Sequence, residues 1–184
     1  MNMNIKKIDP VRSRSPQGDR STRLLSGAAS NRVDVYTDGS SLGNPGPGGY
    51  GAVMVEGDKI VYELGGYEKA TTNNRMELKG VIETLRYLSS LKSFPEVNIC
   101  ADSAYVLGGV NSWVANWEKN GWRTANKKPV LNQDLWQELI GLVRGYQGKL
   151  SWEKVKGHSG HIYNERADQI ATSFSSKGVC ELVK

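Results

Sequence analysis

The sequence predicts an α/β protein, a mixed sheet covered by helices. Two observations carry the prediction. Three strand signals follow one another at the start of the body, as in a meander, and strand and helix signals then alternate to its end. Residues 33–37 form the first strand and run into the Gly/Pro loop SLGNPGPGG. Strands 50–56 and 59–67 flank Gly57-Asp58, a hairpin turn signal. Thr72 caps a helix whose apolar stripe is Val81, Ile82, Leu85 and Leu88. Pro95 breaks the chain before a buried strand at 97–101. A short helix from Ser103, a Trp- and Lys-rich segment at 112–131 and a helix at 132–146 follow. The last strand is 150–155 and the last helix 163–175.

With 184 residues, the chain fits one folded domain at 32–178, preceded by a tail at 1–31 and followed by a short tail at 179–184. The first tail is rich in Ser, Arg, Gly, Asn and Pro without apolar periodicity, and is expected to be disordered. Its Arg and Ser content also fits a targeting peptide, against which Asp9, Asp19 and the early prolines and glycine speak. Together with Arg32 it carries the whole formal charge of +5. Residues 1–32 hold seven basic and two acidic residues, leaving seventeen of each sign in the remainder. A polyanion must therefore be met by local charge separation on a neutral body. Two cysteines without a CxxC pair, and no secretory signal, indicate a reducing compartment and a cytoplasmic protein. No apolar run reaches membrane-spanning length, so no membrane is expected. No heptad or apolar stripe argues for assembly, and a monomer is expected.

Four acids stand in four separate contexts: Asp38 in VYTDGS, Glu77 in TTNNRMEL, Asp102 in ICADSAYV and Asp168 in NERADQIA. Asp38 and Asp102 end strands; if those strands are parallel neighbours, both emerge at the carboxyl edge, where open α/β folds place ligands. Glu77 precedes Val81 by four residues and Leu85 by eight, so it heads the buried face of its helix. Asp168 borders the stripe Ala167, Ile170, Phe174. Each has a plainer alternative except Glu77. Asp38 fits a turn before Gly39, Asp102 a cap for the next helix, and Asp168 a solvated helix position. Convergent carboxylates repel unless cations hold them together. Oxygen-only ligands suit Mg²⁺ or Mn²⁺, and paired Mg²⁺ suits phosphodiester cleavage.

The segments YTDGSSLGNPGPGGYG, TTNNRMEL, ADSAYV, WVANWEKNGWRTANKKPV with NQDLW, and VKGHSGH followed by NERAD resemble type 1 ribonuclease H, the bacterial ribonuclease HI form. The likeness covers about 33–175 with the motifs in family order. It implies a five-stranded mixed sheet of order 3-2-1-4-5 with helices on both faces. It also implies endonucleolytic cleavage of the RNA strand of RNA–DNA hybrids on two Mg²⁺ ions. By motif match, Asp38, Glu77, Asp102 and Asp168 are the metal ligands, and His158, rather than His161, is the loop histidine that moves protons or helps product leave.

For the substrate, the resemblance implies RNA contacts at Gly43, Asn44, Asn73 and Asn74 and a DNA phosphate held by Thr72 and Asn132. It also implies a deoxyribose channel lined by Trp113 and Trp117, four apart on one helical face. Trp136 and Trp152 are expected in the core, and Trp122 as packing in the projecting segment. Lys119, Arg123, Lys127 and Lys128, opposed in that segment only by Glu118, are the best phosphate contacts on a neutral body. Two departures are visible: Ala104 stands where relatives usually carry Gln, and Lys69-Ala70 where they often carry Arg before the threonines. Another metal nuclease of the same fold, or a hybrid-binding module that no longer cuts, are the competing readings. The motif wording opposes the first, and retention of all four carboxylates and the histidine opposes the second.

Overall fold

The computed structural model describes residues 32–157 and 159–184, so the expectations for the N-terminal tail and for His158 lie outside the described residues. Five strands form one sheet in the order β3-β2-β1-β4-β5. β1 (Arg32–Ser41), β2 (Gly46–Glu56) and β3 (Lys59–Thr71) are the antiparallel meander, turned between β2 and β3 by Gly57 at φ +59°. β4 (Glu96–Ala101) lies parallel to β1, and β5 (Leu150–Lys154) parallel to β4. The parallel crossovers are α1 (Asn73–Ser89) and, between β4 and β5, α2 (Ala104–Gly108), a π-helical turn (Gly109–Trp113), α3 (Val114–Lys119) and α4 (Gln133–Gly145). α5 (Ile162–Lys177) closes the fold and ends on Gly178 in the left-handed region.

Alternation along β1 fixes which helix covers which face. Val33 and Val35 point into a core shared with Leu78, Ile82 and Leu85 of α1, Ile99 of β4 and Trp136 and Leu139 of α4. Tyr36 points the other way, with Val53, Val55, Cys100 and α5's Ala167 and Ile170. Helices thus cover both faces. Each fully buried Leu, Ile or Val contributes roughly 1.5–3 kcal/mol.

The strands outrun the expected ones at the glycine-rich stretch, because β1 continues to Ser41 and β2 begins at Gly46. There α5 lies directly on β2: a Cβ at Gly49 would sit 2.4 Å from the Ala171 carbonyl. Glycine here is a packing requirement, not a loop signal. β3 runs to Thr71, with its pairing shifted between Gly46 and Gly48.

Residues near the carboxyl end are tied to β3. Glu63 donates its N–H to the Val183 carbonyl, and its fully buried carboxylate accepts from the Val183 N–H at 2.8 Å. Arg166 on α5 forks onto the same carboxylate at 2.7 and 2.9 Å. Burial pushes the Glu63 carboxyl up, but the Arg166 and Val183 bonds outweigh it and hold it below the ordinary value. Among the described residues, no helix is long and apolar enough to cross a membrane.

Candidate active site

Asp38 lies near the carboxyl end of β1, and Asp102 follows β4 directly. The two strands are parallel with Thr37 opposite Ala101, so both carboxylates reach the same edge of the sheet. Glu77 arrives from the first turns of α1, whose N-cap Thr72 accepts from the Arg75 N–H. Gly39 sets the approach, since a Cβ there would lie 2.3 Å from the Glu77 backbone nitrogen. Only glycine lets α1 come this close to the strand bearing Asp38. Ligand oxygens of Asp38, Glu77 and Asp102 all lie within 4.8 Å of one another.

Asp38 and Glu77 are buried, and Asp102 is half-buried. Burial, then the charges of Asp38 and Asp102, push the Glu77 carboxyl up to about 9, against a smaller opposing effect from the Asn73 amide that donates to Oε1 at 3.3 Å. Glu77 Oε2 is buried without a hydrogen-bond partner. An orphaned oxygen beside two further carboxylates is what a divalent cation satisfies, and the donor set is oxygen throughout. The residues therefore fit a metal ion. Gly157 presses on the same group: a Cβ there would meet Asp102 Oδ2 at 2.4 Å.

Asp168 comes from a different helix. It is half-buried on α5, which lies across β1 and β2, and it follows Ala167 of the buried face. Its carboxylate is not among the oxygens within 4.8 Å. The structure thus joins three of the four acids and leaves the fourth on a neighbouring helix.

Beside Glu77 opens a pocket of about 420 Å³ lined by Ser41, Asn44, Thr72, Asn73, Asn74, Leu131 and Asn132. It unites five of the expected substrate contacts; Gly43 is not in its lining. Sequence reading did not point to Ser41 or to Leu131, which is 79% exposed. Nor did it single out Arg75, which forks onto Asp134 at 3.0 and 2.8 Å and reaches Asn132 Oδ1 at 3.5 Å. Asn132, at φ +56°, also donates to the Tyr105 hydroxyl, so its amide is held from two sides. An arginine within a helix carries no sequence sign of that role.

The tryptophans separate by depth. Trp136 is fully buried, whereas Trp113 is 39% exposed with its ring 5.8 Å from that of Trp117. Trp117 packs on Trp122 and Trp136. Trp152, expected in the core, packs on it from one side only and lines a second pocket with the other. Lys119, at the end of α3, and Arg123, Lys127 and Lys128, on the segment after it, are all exposed. That segment is closed by bonds from the Thr124 N–H to the Lys128 carbonyl and from the Lys127 N–H to the Thr124 carbonyl. Glu118 does not offset them, because it is forked by Arg144 at 2.9 and 2.8 Å.

These features define a class: an oxygen-only cation site at the carboxyl edge of a parallel strand pair, beside a polar pocket and a basic projection. A family model described as RNase H matches residues 30–176. Curated relatives named ribonuclease H include that of Neisseria gonorrhoeae, 54% identical over 139 residues that make up 76% of this chain and 92% of its own. That of Thermosynechococcus vestitus is 50% identical over 141 residues, 77% and 87% of the two chains. Among solved structures, LC9-RNase H1, a type 1 RNase H, is 34% identical with a TM-score of 0.69, covering 82% of this chain and 74% of that one. LC11-RNase H1, solved in complex with an RNA/DNA hybrid, shares the fold at 22% identity and a TM-score of 0.59, covering 80% and 99%. The chain belongs to the type 1 ribonuclease H family, whose members are metal-dependent endoribonucleases.

Proposed function

We propose that this chain hydrolyses the RNA strand of RNA–DNA hybrids at internal positions, acting as a monomer in the cytoplasm. The observation that carries the reading is the convergence of Asp38, Glu77 and Asp102 within 4.8 Å, with Glu77 Oε2 buried and unpartnered. A family of this activity supports it. Asp38, Glu77 and Asp102, with Asp168 as the fourth ligand, would hold two Mg²⁺ ions, Mn²⁺ being the alternative. The chemistry supplied there, when the site is loaded, is acidification of a water and stabilisation of charge on the departing 3′ oxygen, giving 5′-phosphate and 3′-hydroxyl ends.

The protein's own groups bind and orient. The amides of Asn44, Asn73 and Asn74 line one pocket with Thr72 and Asn132, suited to the 2′-hydroxyls and backbone of a strand entering the carboxylates. Gly43 sits beside Asn44 in the loop between β1 and β2. Trp113 and Trp117 offer a surface to the DNA strand, and Lys119, Arg123, Lys127 and Lys128 its phosphate contacts. His158 is proposed to move a proton or help product leave. His158→Ala should lose most of the rate with little change in hybrid affinity; untouched turnover would make it a bystander. The function as a whole is tested with end-labelled hybrid, duplex DNA and single-stranded RNA, each with Mg²⁺ or EDTA. Internal, metal-dependent cuts in hybrid RNA alone are expected, and cutting of duplex DNA or cutting in EDTA would overturn the reading.

A further inference from the structure

On the far side of Asp102 from the Asn44 pocket, a second pocket of about 480 Å³ is lined by Ala104, Leu107, Gly108, Asn111, Ser112, Trp152 and Lys154. Its place is set by the sheet. Lys154 ends β5 opposite Ala101, the residue before Asp102, and Ala104 opens α2 two residues after Asp102. Trp152 and Lys154 are two apart on the strand and so share a face. The carboxylates therefore stand between two pockets, one towards β1 and one towards β5.

The chemistry of this second pocket is mixed. The half-buried Trp152 provides an aromatic wall, Asn111 and Ser112 provide an exposed amide and hydroxyl, and Lys154 provides an exposed ammonium. Lys154 makes no ion pair among the described residues, as is also true of other exposed lysines such as Lys59 and Lys92, and it is distinguished from them by its place in the pocket lining. A free cation at the mouth of an aromatic and amide pocket suits a nucleotide: phosphate on the ammonium, base against the indole, ribose hydroxyl towards the amide.

We infer that this pocket, with Lys154 as its phosphate contact, binds a nucleotide of the strand being cut, where that strand leaves the carboxylates on the β5 side. The inference rests on the hybrid-cleavage reading, in which the strand crossing Asp38 and Asp102 continues to this position. Lys154 also terminates an edge strand, where a lysine by itself discourages edge pairing. That role predicts no effect on substrate.

The test compares the wild-type protein with Lys154→Ala, Lys154→Glu, Lys154→Arg and Ala104→Leu, and with Lys59→Ala in the remote β2–β3 turn as a control. Steady-state cleavage of a hybrid in Mg²⁺ is followed over a series of salt concentrations. Lys154→Ala should raise KM several-fold and reduce the slope of log affinity against log salt by about one. Lys154→Glu should exceed it and Lys154→Arg should restore both. Ala104→Leu, which narrows the pocket without removing charge, should raise KM with the slope unchanged, and Lys59→Ala should match the wild type. If the wild type cuts and Lys154→Ala keeps its KM and salt slope, the inference is overturned and Lys154 is an edge lysine only. If the wild type does not cut the hybrid, the functional reading itself fails.

Discussion

Replacing Glu77 by glutamine should abolish metal-dependent turnover and, in the absence of metal, make the protein more stable. The Glu77 carboxyl titrates at about 9 against an ordinary 4.5, raised by burial and by Asp38 and Asp102. A raised carboxyl favours folding most below the unfolded value, and that contribution is lost as pH climbs from about 4.5 to about 9. At about pH 7.5 the unfolded chain has released this proton and the metal-free folded state retains it. At about 1.4 kcal/mol per pH unit, the wild type forgoes on the order of 4 kcal/mol there. Glutamine carries no charge to bury. Its carbonyl can accept from Asn73 as Oε1 does, and its NH₂ can donate to a neighbouring carboxylate where Oε2 has no partner. Urea unfolding in EDTA, followed by circular dichroism at pH 5, 6, 7.5 and 9, reads the difference. The variant should gain stability over the wild type as pH rises, reaching on the order of 3–4 kcal/mol near pH 7.5. Mg²⁺ should then stabilise the wild type and not the variant. A variant less stable in EDTA at pH 7.5, or a difference that does not change with pH, would refute the reasoning.

Asp38→Asn should lose nearly all cleavage while retaining hybrid binding by gel shift, because the binding surfaces lie on other residues; near-normal cleavage would remove Asp38 from the metal site. Reversing Lys127 and Lys128 to glutamate should weaken hybrid binding and flatten its salt dependence, and an unchanged slope would count against the projection. Arg166→Met should cost about 3–5 kcal/mol in urea unfolding, since it leaves the fully buried Glu63 carboxylate without its cation. Gly157→Ala should lower Mg²⁺ affinity with little change in unfolding midpoint, because its Cβ would displace the Asp102 carboxylate rather than core side chains.

Much of this was legible in the chain. The apolar phase of Glu77 and the placement of Asp38 and Asp102 at strand ends follow from side-chain periodicity, and the parallel pairing of β1 with β4 completes the geometry. What sequence could not show depends on contacts distant along the chain. The glycines at 46–49 read as a loop because small residues favour turns, yet they lie in β2, where α5 leaves no room for a Cβ at Gly49 and Thr71 and Ser40 leave none at Gly48. The π-helical turn between α2 and α3 has no local signature, and it delivers Trp113 to the surface. Glu118 looked like a counter-charge for the lysines until Arg144, twenty-six residues away, was seen to engage it. Asp168 had the right helical phase, but phase does not fix the separation between carboxylate oxygens on different elements, and the three-acid group within 4.8 Å forms without it.

The most direct test of the convergent carboxylates is titration calorimetry of Mn²⁺ into the wild-type protein and into Asp38→Asn and Asp102→Asn. Saturable Mn²⁺ binding by the wild type, strongly weakened in each variant, is the predicted result. Equal Mn²⁺ affinity in all three would show that these side chains do not share a cation, and the account would fall.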